Sequence, residues 1–277
     1  MVESPLIRFL LRMATGLVLL FIYTPLVILG VYAFNASRLM GWPPAGFTLR
    51  WFGEAAANPA IHEALVNSLI AASTATLIAL LLGTLAALAI QRYDFFGKNS
   101  VSFLFVLPIA LPGVVTGIAL QSTFKLFGIG LGLPTIIVAH ATFCVVVAYN
   151  NVVARLRRLP RSPEEASADL GATPWMTFRR IPLPGMRTAL LSGGLLAFAL
   201  SFDEVIVTLF AAGAGTKTIP VWIFSAMQRP NELPVVNVVA LVLVLVSIIP
   251  VWIAQRISGG EATRITRKEL LSGASLI

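Results

Sequence analysis

The sequence is poor in charge and nearly devoid of cysteine. Only 12% of its 277 residues are Asp, Glu, Lys or Arg, while 57% are apolar. A soluble globular domain carries roughly one quarter charged residues, so a water-soluble globule is excluded. Intrinsic disorder is excluded too, because it needs low hydrophobicity and a high density of charge. A lone cysteine, Cys144, has no partner for an internal disulfide, which removes the stapled secreted modules. There are two histidines. His140 and Cys144 lie four residues apart on one helical face, but two ligands without a third make no metal centre, and packing is the simpler reading. His62 reads as a solvated residue near a membrane interface.

What the chain does have is long apolar runs, with a mean hydropathy of +0.89. A bilayer-crossing helix takes about 20 apolar residues. Runs of that kind lie near 13–34, 66–90, 101–124, 133–154, 188–212 and 233–255. The first is too long for a signal-peptide core and lacks a small-residue cleavage site after it, so it is read as a retained helix. Backbone inside lipid must satisfy its own hydrogen bonds, so the spans are helices. The expectation is an all-α membrane protein: one compact domain, residues 1–277, with six transmembrane helices.

Pro25, Pro108 and Pro112 mark kinks, and the third span should be bent. In the second span Ala71, Ala75, Ala79, Gly83 and Ala87 recur every fourth residue, a smooth stripe for close helix packing. Gly113 and Gly117 form a shorter one. The 30 or so residues after the first span carry Trp42, Phe47, Trp51 and Phe52, suited to an interfacial cap on the outer face. Within 213–232, the run VWIFSAM suits a short interfacial or re-entrant helix that stays outside.

The net charge of +8 is informative through its placement. Fifteen of the 20 Lys and Arg residues fall before span one, between spans two and three, between spans four and five, or after span six; five fall in the other gaps. The positive-inside rule puts both termini in the cytoplasm, as an even number of crossings requires. The basic surplus thus reports topology, and nucleic-acid binding is not expected.

The longest cytoplasmic connection, 155–187, is the informative one. Ser162, Pro163 and Glu165 read as an N-cap, a first-turn proline and a capping-box glutamate opening a short helix. Gly171 follows Asp169 and Leu170 where a left-handed closing residue belongs, and Thr173-Pro174 opens a second short helix to about Arg180. Pro182 and Pro184 stop it. This helix, glycine turn and helix carry Ala166, Leu170, Trp175, Met176 and Phe178 into a region surrounded by cytoplasm, an apolar surface that needs a partner or the headgroup layer to cover it.

Glu165-Ala166-Ser167, three residues, Gly171, nine residues, then Ile181-Pro182-Leu183-Pro184 resembles the EAA signature of ABC importer permeases, with Ser167 in place of an alanine. Asn67-Ser68-Leu69, the Pro108 to Gly117 region, Leu170-Gly171-Ala172-Thr173 and Ser201-Phe202-Asp203-Glu204-Val205 look like the polyamine (spermidine/putrescine) branch of that family, and the resemblance covers nearly the whole chain. It implies a type I importer permease in the bacterial inner membrane. Such a six-helix subunit pairs with a second, homologous permease, with two ATPase subunits that bind ATP and Mg, and with an extracytoplasmic solute-binding protein. The loop would then be the coupling helix, with Glu165, Ala166, Ser167, Asp169, Leu170, Gly171 and Ala172 seated on an ATPase. Glu165 has two candidate jobs, closing its own helix or pairing with an ATPase cation. The chain itself would hold no cofactor, no metal and no catalytic residue.

Asp203 and Glu204 fall inside the fifth span, where a charge costs roughly 2.5–3.5 kcal/mol at mid-depth and so needs an interior reason. Neighbouring helical positions point about 100° apart, so both carboxylates serve one point only if the helix unwinds. Both are assigned to the solute pathway or its gate, where fixed anionic charge suits a cationic amine; a structural hydrogen bond or ion pair is the competing role. The run 213–218, GAGTKT, lacks phosphate-loop spacing, so ATP binding by this chain is not expected. No nucleophile stands with a base and an orienting group. The remaining rival is a proton- or ion-coupled secondary carrier or channel, against which the lack of visible internal repeats argues.

Overall fold

The computed structural model describes residues 5–248; the expected sixth span therefore lies partly, at 249–255, outside the described residues. Among the described residues the regular structure is helical, and extended pairing is limited to an isolated bridge between Asn35 and Phe47. In chain order the helices are α1 (Pro5–Ala33), α2 (Arg50–Ala56), α3 (Pro59–Arg92), α4 (Lys98–Ala110), α5 (Gly113–Leu126), α6 (Leu133–Leu156), α7 (Ser162–Asp169), α8 (Pro174–Arg180), α9 (Pro182–Phe202), α10 (Ile206–Ala211), α11 (Ile219–Ala226) and α12 (233–248). Five helical stretches are long and apolar enough to cross a membrane: α1, α3, α6, α9 and Pro230–Ile248.

The expected third span differs most. It is two helices, α4 and α5, of 13 and 14 residues, each only about 20 Å long at 1.5 Å per residue and shorter than the roughly 30 Å hydrocarbon layer. The cause is Pro112. It pushes Leu111 into extended backbone (φ −81°, ψ 141°) and supplies no N–H to continue α4. A bend was expected; a complete interruption is observed.

The described chain packs as two compact units, one from residues up to 62 together with 222–248, the other from 63–221. In the first, Asn35 organises the segment after α1. Its Oδ1 accepts from the amides of Ser37 (3.3 Å) and Ala45 (3.2 Å), and its carbonyl accepts from Trp51 Nε1 at 2.7 Å. Trp51 is fully buried beneath the guanidinium of Arg50, 4.0 Å from its ring centroid. This corrects the interfacial role expected for Trp51: its indole N–H has a buried carbonyl to satisfy, so it packs inward. Trp42 and Phe47 are exposed, as an interfacial cap requires.

In the second unit the small-residue stripe of α3 is a packing face as expected. Ala71, Ala75, Ala79 and Ala87 are at most 1% exposed. At Gly83 a Cβ would lie 2.8 Å from the Tyr149 amide nitrogen and 3.0 Å from the Val145 carbonyl oxygen, so α3 lies against α6 backbone to backbone. Two apolar clusters flank this seam. One gathers Phe124, Ile136, Phe143, Ala197 and Val207; the other Ile90, Tyr149, Val152, Leu156 and Met186. At the far end of α3, Asn67 Nδ2 donates to the Lys217 carbonyl (3.1 Å) and Ser68 Oγ accepts from the Ile219 amide (2.8 Å). They hold the segment leading into α11, the short helix expected around VWIFSAM.

Candidate functional site

The loop between α6 and α9 forms the expected helix, glycine turn and helix. Gly171 sits at φ +77° with open space around its missing Cβ. The Gly171 amide donates to the Ala168 carbonyl (2.8 Å) and the Ala172 amide to the Ser167 carbonyl (3.1 Å). This pair of bonds is a Schellman closure, and the left-handed residue it requires is cheapest as glycine. Thr173 caps α8, its hydroxyl accepting from the Met176 amide at 3.3 Å. Ser167 Oγ and Thr177 Oγ1, 2.9 Å apart, tie α7 to α8.

The start of α7 departs from expectation. Its N-cap is Arg161 and no side chain caps it, so Ser162 and Glu165 form no capping box. Pro163 has no N–H to be capped, and the amides of Glu164 and Glu165 both donate to the Arg161 carbonyl (2.9 and 3.1 Å); no orphan donor is left for Ser162. Glu165 is therefore free of the first of its two candidate jobs, and it is exposed. Glu164, which sequence reasoning passed over, forms a fork-to-fork ion pair with Arg92 at the end of α3.

Pro182 and Pro184 open α9 rather than merely stop α8. A proline in the first turn forfeits only an N–H that has no partner there. The fifth span thus starts at Pro182, not near 188, and a single residue, Ile181, separates α8 from α9.

Of the expected coupling residues, Glu165, Ala166, Asp169, Leu170 and Gly171 are exposed, and Ser167 and Ala172 half-buried. Leu170 is 89% and Trp175 69% exposed. One small element thus brings together two aliphatic side chains, an indole and two carboxylates, a mixture that suits a protein groove better than bulk water.

The second candidate site is the interruption of the fifth span. α9 ends at Phe202, and α10 starts at Ile206. Asp203 and Glu204 lie in the gap, so the unwinding that lets both carboxylates serve one region is present, and the structure separates their roles. Glu204 Oε1 accepts from the Val207 amide at 2.9 Å and so caps α10. Asp203 is exposed, and no hydrogen bond or ion pair engages its carboxylate among the described residues.

His140, on α6, spans the interruption. Its Nδ1 lies 2.7 Å from Ser201 Oγ, before the gap, and its Nε2 lies 2.8 Å from Thr208 Oγ1, after it. The Thr208 hydroxyl donates to the Glu204 carbonyl (2.8 Å), so it accepts from Nε2–H, and Nδ1 of the neutral ring accepts from Ser201. The imidazole is completely buried with both nitrogens engaged. The sequence reading of His140 as a packing residue holds for its burial but misses this polar tether, whose partners lie 61 and 68 residues away. Cys144 donates to the Ala197 carbonyl at 3.3 Å and belongs to the packing. Among the described residues no group of His, Cys, Asp or Glu is arranged to hold a metal.

Comparison with known proteins agrees with this architecture. The putrescine transport system permease protein PotI of Escherichia coli (strain K12) is 39% identical over 228 residues, covering 79% of this chain and 80% of that protein. The spermidine/putrescine transport system permease protein PotC of Haemophilus influenzae is 33% identical over 253 residues, covering 91% and 97%. The crystal structure of a bacterial alginate ABC transporter, in complex with an alginate pentasaccharide-bound periplasmic protein, contains a chain of similar fold. Its TM-score is 0.70 at 16% identity over 91% of this chain and 93% of that one. The family model for the inner membrane component of binding-protein-dependent transport systems matches residues 79–260. A chain of membrane-length helices carrying that match over most of its length belongs to this family, the membrane-embedded permease subunits of ABC importers.

Proposed function

We propose that this subunit forms half of the pathway by which an ATP-driven importer moves putrescine, spermidine or a related cationic amine, handed over by a solute-binding protein. The observation that carries the solute class is Asp203, a carboxylate left exposed at a break in an apolar helix while its neighbour is consumed as a helix cap. An ammonium group leaving water needs a replacement partner of opposite charge, and an unengaged carboxylate offers one. The names of the relatives support the same solute class.

The chain makes one permease domain with six crossings, α4 and α5 together forming the third. The cationic surplus supports a cytoplasmic location for both termini and the α7–α8 element. There Glu165, Ala166, Asp169, Leu170 and Gly171 seat on an ATPase subunit, with Ser167 and Ala172 shaping the element from behind. A second permease completes the pathway. Two ATPase subunits hold ATP and Mg, and their closure drives the paired loops together.

The test is uptake of labelled putrescine and spermidine into proteoliposomes holding the complete transporter, with and without its ATPase subunits. ATP-dependent accumulation that Asp203→Asn cuts by about tenfold, on the scale of a lost charge-assisted contact, is expected with assembly intact. Accumulation driven by a proton gradient without the ATPases would instead make the chain a secondary carrier and end the proposal.

A further inference from the structure

The α7–α8 element is joined to the membrane helices by chain at both ends, but the two joints differ in stiffness. At the far end one residue, Ile181, serves as both the C-cap of α8 and the N-cap of α9, so α8 passes almost directly into α9. At the near end α6 stops at Leu156, and residues 157–161 are not helical. Leu159 is held by packing against Ile90, Leu156 and their neighbours, which leaves Pro160 and Arg161 as the free joint. A lever hinged there would swing without moving α6.

Two guanidinium groups close that joint. Arg92, the last residue of α3, reaches Glu164 in the first turn of α7 as a two-pronged ion pair, with the Glu164 side chain only 11% exposed. In the opposite direction Arg161, the N-cap of α7, donates from Nη2 to the carbonyl of Gln91 in the last turn of α3 at 2.5 Å. The directions suit the helix ends. The orphan carbonyls at the end of α3 take a cation, and the first turn of α7 takes an anion. A planar guanidinium paired at two points resists rotation as a single ammonium contact does not.

We infer that this reciprocal clasp makes α3, beside the directly joined α9, a second helix that receives the motion of the coupling element, with Arg92 and Glu164 as positioning residues. The inference rests on the docking of α7–α8 to an ATPase proposed above. From Arg92 to Asn67, α3 makes 25 residue-to-residue steps, about 38 Å at 1.5 Å per step and more than the hydrocarbon thickness. It is packed backbone to backbone on α6 around Gly83, so the two move as one body. At its other end Asn67 and Ser68 grip Lys217 and Ile219. A push on α7 at the cytoplasmic face is thereby delivered to the 217–219 segment at the opposite face.

The experiment uses the complete transporter in proteoliposomes, with uptake and ATP hydrolysis measured on the same sample. Glu164→Arg and Arg92→Glu each place like charges across the clasp, and the double variant R92E/E164R restores opposite ones. Each single variant is expected to lower solute moved per ATP by about tenfold, in the range of coupling free energies between distant sites, while the complex assembles and ATP is still hydrolysed. The reversed pair should recover the ratio to within about twofold. Both singles holding the wild-type ratio, or an assembled R92E/E164R that stays as uncoupled as the singles, would overturn the clasp. Cross-linking from D169C to the ATPase separates the two proposals. No cross-link in an otherwise wild-type complex removes the docking and the clasp with it; a cross-link alongside an unchanged ratio removes the clasp alone.

Discussion

Replacing His140 probes whether the break in the fifth span is held by hydrogen bonds or simply by packing. Its imidazole is fully buried and bonds Ser201 at 2.7 Å on one side of the gap and Thr208 at 2.8 Å on the other. Each net hydrogen bond is worth about 1 kcal/mol, and a buried hydroxyl left unpaired costs a further 1–3 kcal/mol or so. His140→Leu keeps most of the volume and loses both bonds. Thr208 retains the Glu204 carbonyl as a partner, so the orphan is chiefly Ser201, and the expected loss is about 3–5 kcal/mol. His140→Ala adds a cavity and should lose at least 1 kcal/mol more. The assay is denaturant titration of the purified complex in mixed micelles, followed by the double variant H140L/S201A. If Ser201 is the orphan, removing its hydroxyl costs about 1 kcal/mol or more beside His140 but regains about 1–3 kcal/mol once His140→Leu is in place, a coupling that a double-mutant cycle reads directly. A His140→Leu variant as stable as wild type, or a Ser201→Ala cost identical in both backgrounds, would refute the tether. Uptake should follow the same order, because a loosened gap misplaces the Asp203 carboxylate.

Other outcomes follow from single contacts. Gly171→Ala meets no neighbour but forces an alanine into left-handed backbone, costing about 1–2 kcal/mol locally; it should weaken binding of the ATPase in pull-down titrations with uptake falling in proportion. Leu170→Asp, at an 89% exposed position, should leave thermal stability unchanged and weaken ATPase association by about tenfold, as loss of a central apolar anchor does. Gly83→Leu drives a side chain into the Tyr149 amide and the Val145 carbonyl; overpacking of about 1–3 kcal/mol or more is expected, seen as a lower unfolding temperature. Glu204→Gln retains an acceptor for the Val207 amide, so uptake should persist at least several-fold above that of Asp203→Asn, measured side by side under one amine concentration, the difference being that between a kept neutral cap and a lost charged contact.

The readings that held rest on short-range rules. Gly171 closes α7 because only left-handed backbone satisfies the carbonyls of Ser167 and Ala168 there, and Thr173 caps α8 because its hydroxyl reaches an amide three residues on. The alanine stripe of α3 had to become a seam, since small residues every fourth position let another backbone approach. Where local rules competed, sequence could not choose. Pro112 could kink a span or sever it, Pro182 could end a helix or begin one, and Trp51 could seek the interface or a buried carbonyl.

The remaining features are settled by residues far apart in the chain. Glu164 differs from Glu165 only in rotation about α7, and it takes Arg92, 72 positions away, for that rotation to leave one carboxylate paired and the other free. Asp203 and Glu204 are likewise alike in sequence, and they part company because α10 begins where Glu204 can cap it while His140 pins both flanks of the gap. Composition and periodicity determine that apolar helices form and roughly where, because those depend on transfer free energy and local hydrogen bonding. Which carboxylate meets which cation, and which is left unengaged, depends on distances across helices, and only folding brings those into range.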